Sequence, residues 1–409
     1  MNDQADAEEL DGVAELVHEL GYLPLAIEQA AAYLHQNQLS PRAYLDLLTK
    51  HPAAMYDQAA HGAAAERTVS RIWRLTLDRL SDNPLAGQLL RIFAWYGPEP
   101  IPRSLFDDLA PIPQLQQALG CLAAYNMITL EKTAITVHRL VQAVARIPHH
   151  NDPHRQPANL DTARSYATDL LLGALPKEAE FPESWPTWRT LLPHIIALSN
   201  QVHPSSDTYD SVHLFNYAAI FLLDQGAITP ALGYLERAYH AAERILGSDH
   251  PNTLNSLNNL AHAYQVAGDL DHAIQLHEQT LKNRERILGS NHPNTLQSRN
   301  NLACTYRAAW DLEHAIPLHE RALAEHDQIL GSNHPETLTA RDNLAYAYQM
   351  AGDLHRAISL HERTLADREL TFGSDHRFTL QSENNLALTS SGRKSGPRHL
   401  HVRAHPTQA

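Results

Sequence analysis

One octapeptide occurs four times in the second half of the sequence: "GSDHPNTL" at 247–254, "GSNHPNTL" at 289–296, "GSNHPETL" at 331–338 and "GSDHRFTL" at 373–380. Each copy begins 42 residues after the previous one. The intervening text is also similar, since "NNLAHAYQVAGDLDHAIQLHEQTL" returns as "NNLACTYRAAWDLEHAIPLHERAL" and "DNLAYAYQMAGDLHRAISLHERTL". Similarity at a fixed period of this length predicts stacked structural repeats. We count about four units, of which the last breaks off near Ser391.

Each unit has the pattern of two helices. Leu257, Leu260 and Tyr264 recur at three- and four-residue spacing, which places them on one face of a first helix. Gly268 ends that helix, and a second apolar stripe follows. Pro293 suits the first turn of the next helix, where its missing N–H costs nothing. Because a lone helical pair cannot bury its apolar stripe, the regular period predicts an α-solenoid.

The unit resembles the tetratricopeptide repeat, in the 42-residue variety of kinesin light chains. The shared text is Leu-x-x-Leu-Ala-x-x-Tyr, a Gly-Asp turn, Ala-x-x-Leu and a Leu-Gly-x-x-His-Pro connector. The resemblance covers roughly Val212 to Ser391, and the segment from Phe215 to Gly247 is similar to a degenerate opening repeat. It implies a concave groove that binds a protein or peptide.

Asparagine recurs on the first helix of each unit. Asn255, Asn259 and His262 lie at helical spacing, on a face distinct from the leucine stripe. An asparagine side chain both donates and accepts hydrogen bonds, so a stacked column suits an extended peptide backbone. Alternatively, one asparagine of each adjacent pair bonds to the neighbouring repeat. The predicted groove residues are Asn255, Asn258, Asn259, His262, Asn300, Asn301, Asn343, Asn384 and Asn385.

Three features depart from a regular repeat. Trp310 stands where the neighbouring units have glycine, so we expect it to widen the turn or to pack on a neighbour. Arg299 and Arg341 stand where the first copy has Leu257, which predicts looser packing or arginines offered to a ligand. Pro317 lies near the start of a second helix and predicts a bend rather than a break.

A histidine–glutamate pair also recurs once per unit. The pairs are His277-Glu278, His319-Glu320 and His361-Glu362. None continues as His-Glu-x-x-His, the zinc-protease pattern, so we interpret them as surface residues and predict no metal site.

The first half is predicted to be helical, with one hairpin. Helices are expected at 13–20, from Pro24, from Pro41 behind a serine N-cap, and at 71–80 and 84–96. A proline-rich turn at 97–109 precedes a helix, a hairpin and a further helix, "RLVQAVARI". The hairpin is centred on "EKT" in "MITLEKTAITVH". Three helices with a two-stranded wing form a winged-helix layout.

Two short motifs in this half resemble those of NB-ARC proteins, a class of STAND-type signalling ATPases. "GYLPL" at 21–25 resembles their Gly-Leu-Pro-Leu motif, and "VHRLV" at 137–141 resembles their Met-His-Asp motif, with Arg139 in place of the aspartate. The resemblance implies that Pro24 packs on adenine and that His138 reaches the β-phosphate of ADP. The order of helical subdomain, winged helix, spacer and repeats is similar to that of actinobacterial members.

The phosphate-binding motif of that class is absent from the sequence. No Gly-x-x-x-x-Gly-Lys-Ser/Thr occurs, so no row of backbone N–H groups would cradle phosphates. We therefore expect this chain to be the C-terminal portion of a switch protein. It is predicted to bind no cofactor, and ADP or ATP would bind only if a separate nucleotide domain were supplied. Under this expectation Pro24 only starts a helix, and His138 bonds locally. No other catalytic motif is recognised, which predicts a non-enzymatic protein.

Composition restricts the partners. The formal charge of −14 argues against binding nucleic acid, and the candidate recognition segment at 114–127 contains no Lys or Arg. No run of eighteen apolar residues occurs, which argues against a membrane helix. The two cysteines, Cys121 and Cys304, are typical of reduced thiols in a cytoplasmic protein. The tail carries Arg393, Lys394, Arg398 and Arg403, and it is predicted to be a disordered basic end.

Together these patterns predict a mainly α protein: a helical subdomain and a winged helix followed by an α-solenoid of tetratricopeptide repeats. The predicted segments are a helical remnant at 1–70, a winged-helix domain at 71–150, a linker and helical adaptor at 151–210, the solenoid at 211–391 and the tail at 392–409. The favoured function is a scaffold or sensor that binds a protein or peptide. The alternatives are a regulatory fragment acting with a separate nucleotide domain and a winged-helix DNA-binding regulator. The partner and the oligomeric state stay open.

Overall fold

The computed structural model describes residues 11–20, 22, 24–49, 73–149, 151–176 and 182–395. They divide into two units, one ending at residue 221 and one beginning at residue 222. Most described residues are helical, as predicted. None of the described helices is long and apolar enough to cross a membrane. The predicted loop at 51–65 lies outside the described residues.

The first unit opens with helices whose starts were predicted. They are α1 (Val13–Glu19), α2 (Pro24–Asn37), α3 (Pro41–Thr49), α4 (described over 73–79) and α5 (Pro84–Phe93). The predicted serine cap of α3 is confirmed, since the backbone N–H of Ala43 donates to Ser40 Oγ at 3.2 Å. Helix α2 is fixed against the far end of α6 (Ile112–Ala124), where the amides of Gln29 and Asn126 each donate to the other segment's backbone, at 3.3 and 3.2 Å.

The predicted hairpin is present and has one strand more than expected. Strand β2 (Thr129–Leu130) pairs antiparallel with β3 (Ala134–Thr136), and β3 also pairs with β1 (Ile101–Pro102). The strand order is β1-β3-β2. We predicted a turn at β1 because of its prolines, but a proline is tolerated on an edge strand. Helix α7 (Arg139–Arg146) follows β3 directly.

Three longer helices complete the first unit: α8 (Pro157–Ala174), α9 (Trp185–Gln201) and α10 (Tyr209–Asp224). Trp188 of α9 is fully buried and stacks on Phe221 of α10, with ring centroids 4.9 Å apart. The same apolar core contains Trp73 and Phe106. It therefore continues across residue 150, where the sequence suggested a domain boundary; the boundaries themselves stay predictions.

The stretch between α7 and α8 is not a loose linker, contrary to our reading of its polar composition. Asp152 and Arg155 are buried, and Arg155 Nε donates to Asp152 Oδ2 at 2.8 Å. The guanidinium of Arg155 also lies 5.6 Å from the ring centroid of Trp73. The correction has a physical reason, because buried charges are tolerated when paired.

The second unit is a run of paired helices at the predicted period. They are α11 (Ile228–Leu246), α12 (Pro251–Ala267), α13 (Leu270–Leu288), α14 (Pro293–Ala308), α15 (Leu312–Leu330), α16 (Pro335–Met350), α17 (Leu354–Phe372) and α18 (Arg377–Ser395). Helix α15 continues through Pro317 without a break, as predicted. Helix α18 reaches Ser395, so the part of the predicted disordered tail at 392–395 is helical; residues 396–409 lie outside the described residues.

The octapeptide forms the connector between helical pairs, and its glycine, histidine, proline and threonine each have a structural role. In the second copy, Gly289 ends α13 at a φ of 86°, which glycine adopts without strain. His292 Nδ1 then accepts the backbone N–H of Asn294 at 3.1 Å, and Pro293 begins α14. The hydroxyl of Thr295 donates back to the Gly289 carbonyl at 2.9 Å. The repeated text therefore specifies a helix stop and a helix start.

Candidate binding surface of the repeats

The two adjacent asparagines of α12 differ in exposure. On α12, Asn255 and His262 are exposed and Asn259 is half-buried, so these three form one open stripe as predicted. Asn258, by contrast, is 8% exposed. The position of Asn259 is asparagine in all four copies, and we call this set the amide column: Asn259, Asn301, Asn343 and Asn385.

The inner asparagine of one pair holds the column asparagine of the next. Asn301 Nδ2 donates to Asn258 Oδ1 at 3.0 Å, and Asn343 Nδ2 donates to Asn300 Oδ1 at 3.2 Å. The interpretation that one asparagine of each pair bonds to the neighbouring repeat is therefore supported, and ligand binding by the column asparagines stays a prediction. Asn258 supports its neighbour instead of lining the groove, which corrects its predicted role as a ligand contact.

The column changes at its last member. Position 342 holds aspartate, which pairs with Arg368 at 2.7 Å and contacts His361 at 3.2 Å. Asn385 is 5% exposed, whereas the adjacent Asn384 is open. The open part of the amide column thus runs over α12, α14 and α16, and burial makes Asn385 a poor ligand contact.

Arginines on the second helices cross to the next pair, and we call them the arginine bridges. Arg284 of α13 donates to the Asn294 carbonyl at 2.9 Å and to Ser298 Oγ at 2.8 Å. It also donates to Asn255 Oδ1 at 2.5 Å, so this exposed asparagine is already engaged. Burial lowers the pKa of Arg284 to about 10. Arg368 of α17 repeats the pattern on α18.

The arginines that replace Leu257 are neither loosely packed nor offered to a ligand, so both parts of that expectation were wrong. Arg299 is fully buried and pairs with Glu285 at 2.6 Å and with Glu325. Arg341 is 1% exposed and pairs with Asp367 at 2.5 Å. Carboxylates from the second helices neutralise each charge, which makes burial tolerable. Hydrophobic patterning missed them because their partners lie 14 and 26 residues away.

The repeated histidines are interior residues, which corrects our reading of them as surface residues. His277, His319 and His361 are fully buried. Neither ring nitrogen of His277 or of His319 has a hydrogen-bond partner among the described residues. Burial lowers the pKa of His277 to about 4 and that of His319 to about 3. No cluster of metal-ligating side chains occurs within the described ranges.

Glutamates at the equivalent position of the second helices join successive pairs. The Tyr264 hydroxyl donates to Glu236 at 2.8 Å, and the Tyr306 hydroxyl donates to Glu278 at 2.5 Å. Tyr348 donates to Glu320 in the same way. Burial, together with the bond to Glu278, raises the pKa of Tyr306 to about 12.

Trp310 leaves its turn unchanged, so the prediction that it widens the turn or packs was wrong. Its φ of 61° is close to the left-handed values of Gly268 and Gly352, at 83° and 82°. The N–H of Asp311 still donates to the Tyr306 carbonyl at 2.9 Å, as in the glycine turns. The indole is 71% exposed. A strained backbone position therefore carries a solvated aromatic ring.

The two residues of the nucleotide-motif resemblance lie at helix starts. Pro24 is the first residue of α2 and is exposed, as a helix-start proline should be. His138 is exposed between β3 and α7, and its carbonyl accepts the N–H of Gln142 at 3.1 Å. Gly21 and Leu23 of the motif lie outside the described residues. A nucleotide role for Pro24 and His138 stays a prediction.

Comparison with known proteins agrees with this architecture. The tetratricopeptide repeat family matches residues 210–286, 255–324 and 311–369. A nucleotide-binding leucine-rich repeat (NLR)-like protein of Hyaloscypha variabilis is 29% identical over 269 residues, which are 61% of this chain. The chain spans about a quarter, 26%, of that relative.

Two solved structures have similar helical arrays. A Podosopora anserina kinesin light chain with nearly identical TPR-like repeats is 31% identical, over 47% of this chain and 89% of that one, with a TM-score of 0.41. A Pyrococcus horikoshii STAND protein with a tetratricopeptide repeat sensor is 14% identical, over 91% of this chain and 57% of that one, with a TM-score of 0.40. Residues 210–369 thus match the tetratricopeptide repeat family model and form the paired helices of a tetratricopeptide α-solenoid.

Proposed function

We propose that this protein is a non-enzymatic scaffold or sensor that binds a peptide or protein segment along the amide column. The observation that carries the proposal is the pair of Asn–Asn bonds. Asn301 and Asn343 are each held by the preceding repeat through Nδ2. The orientation of these side-chain amides is therefore fixed before a ligand arrives, which lowers the entropic cost of binding.

The held amides match the needs of an extended backbone. Each Nδ2 donates one of its two protons to the neighbouring asparagine. The Oδ1 acceptor and the second Nδ2 proton remain for a ligand. A peptide N–H and C=O then pair with one side chain. Such recognition reads the backbone and leaves sequence preference to other residues.

The test uses the full chain and a random-sequence peptide display library. Peptides selected on the chain are titrated against Asn301→Ala and Asn343→Ala, and each change is expected to weaken binding about tenfold, the effect of one or two hydrogen bonds. Gln279→Ala is the matched control, since Gln279 is exposed on α13 away from the column. Unchanged affinity in both asparagine variants would refute the proposal.

We further propose that the first unit is winged-helix-like and derives from a signalling switch. The partial NLR-like relative and the ordered motifs at 21–25 and 137–141 support this. The purified chain is then expected not to bind ADP by itself. Calorimetric titration with ADP tests this, and micromolar binding would show that the phosphate-loop domain is dispensable.

A further inference from the structure

The series of arginine bridges is interrupted at one pair. Arg284 of α13 and Arg368 of α17 have His326 of α15 at their shared position, 42 residues from each. The serine that each arginine reaches, Ser298 or Ser382, is replaced by Ala340 on α16. His326 Nδ1 instead bonds within its own helix, to the Ala322 carbonyl at 2.7 Å.

A cavity of about 340 Å³ lies at this interruption. The column residue Asn301 and the adjacent Asn300 form one wall. The missing bridge explains the space, because a histidine is shorter than the arginine that spans the equivalent gap elsewhere. The other residues used below also line it: His326, Glu336, Arg368, Phe372 and Phe378.

A ring nitrogen and a carboxylate face each other in the cavity wall. His326 Nδ1 donates to the Ala322 carbonyl, so Nε2 is the ring nitrogen nearest to Glu336. Nε2 lies 4.0 Å from Glu336 Oε2, which is beyond hydrogen-bonding distance. The gap between the two atoms is therefore open to a ligand group.

The lining arginine is neutralised, and the adjacent wall is aromatic. The charge of Arg368 is compensated by Asp342 at 2.7 Å. Phe372 and Phe378 pack edge to face, with centroids 6.2 Å apart. The guanidinium groups of Arg377 and Arg368 lie 4.9 and 5.8 Å from the Phe378 ring centroid, which shows that planar cations pack against this pair of rings.

We propose that the cavity is a specificity pocket for an arginine side chain of a peptide bound on the amide column. The planar guanidinium presents parallel N–H donors, which suit His326 Nε2 and the Glu336 carboxylate together. Its aliphatic stem lies against the phenylalanine rings. This inference rests on the proposed function, since Asn300 and Asn301 deliver the backbone to the rim.

The first test isolates the pocket from peptide binding. N-acetyl-arginine methylamide is titrated into the full chain, carrying ¹³C-labelled histidine, and the His326 signal is assigned with a His326→Asn variant. We expect that signal to shift in a saturable manner. The citrulline analogue, equal in shape but uncharged, and the chain with Glu336→Gln are each expected to need at least tenfold more ligand. Equal responses to arginine and citrulline, or no response, would overturn the pocket.

The second test restores the bridge. The His326→Arg/Ala340→Ser double variant recreates the pairing of Arg284 with Ser298 and fills the cavity. Library peptides selected on the parent chain should be enriched in arginine at one position, and the double variant should lose that enrichment while keeping Asn301-dependent binding. Glu336→Gln changes an exposed side chain and serves if the double variant does not fold.

The two tests separate the possible failures. If the selected peptides depend on Asn301 but show no arginine preference, the pocket is refuted and the proposed function is supported. A saturable arginine-analogue response without any peptide binding would keep the cation site and remove the proposed function.

Discussion

The pairs α12/α13 and α14/α15 have equivalent histidine and aspartate N-caps but differ in their interiors. Leu257, Gly268 and Arg284 in the first pair become Arg299, Trp310 and His326 in the second. The backbone of the turn is unchanged, since it keeps its left-handed residue and its hydrogen bond to the preceding tyrosine carbonyl. The difference teaches that this repeat specifies helix starts and stops tightly, while its interior accepts either apolar or paired ionic contacts.

The largest expected effect tests the ionic interior. Arg299→Ala removes a buried cation that neutralises Glu285 and Glu325, and we expect a loss of about 3 kcal/mol in the free energy of unfolding. Arg299→Leu restores the apolar side chain that the first pair has at Leu257 but leaves the same two carboxylates unpaired, so we expect it to recover only part of that loss. Urea unfolding followed by circular dichroism measures both. Equal losses would mean that the charge, rather than the volume, is indispensable.

The next largest expected effect is a loss of folding stability at low pH, caused by the buried histidines. The folded pKa values of His277 and His319, about 4 and about 3, lie below the unfolded value of about 6.5. Below pH 6.5 the unfolded chain therefore takes up protons that the folded chain excludes. Stability is fully present above that pH and falls until about pH 3, by on the order of 2 kcal/mol per histidine.

The matched variants for the acid effect are His319→Leu and His361→Leu. The first removes two unpartnered nitrogens, so it should flatten the pH dependence of the unfolding midpoint and preserve stability at neutral pH. His361→Leu instead deprives Asp342 of a contact at 3.2 Å and should be destabilising. If both variants behave alike, the missing hydrogen bonds are not what distinguishes His319.

Removing one partner of an arginine bridge is expected to have a smaller effect on stability. Ser298→Ala removes one partner of Arg284, which keeps the Asn294 carbonyl, so the expected loss is about 1 kcal/mol. Thermal melts of this variant are compared with those of Ala340→Ser, a buried position where no arginine reaches the new hydroxyl, so the added serine should not raise the melting temperature. Stabilisation by Ala340→Ser would show that the serine matters for a reason other than the bridge.

The turn between helices gives the smallest effect. Trp310→Gly relieves a left-handed backbone strain but also loosens the unfolded chain, so we expect a stabilisation of about 0.5 kcal/mol. Gly352→Ala should destabilise by about 1 kcal/mol, since it introduces the strain that Trp310 already tolerates. Differential scanning calorimetry resolves the two signs. Destabilisation by Trp310→Gly would show that the relieved strain is smaller than the entropy that glycine adds to the unfolded chain.

Periodicity and capping chemistry predicted the repeat helices, because Gly289, His292 and Pro293 act on the backbone within a few residues. The column position of Asn259 was also predicted, from helical spacing alone. The support from Asn258, the ion pairs of Arg299 and the burial of His319 were not, because each depends on a partner or surroundings beyond its own helix. Two-residue strands such as β1 are too short for an alternation pattern.

The bonds between repeats have a constant offset along the chain, and this has a consequence for how such a gene changes length. The two Asn–Asn bonds each join residues 43 positions apart, and the three Tyr–Glu bonds each join residues 28 positions apart. Excising or duplicating 42 residues between equivalent positions brings identical partners back into register. The number of repeats can therefore change by whole units without loss of these bonds. An insertion of any other length breaks every Asn–Asn and Tyr–Glu bond that spans it.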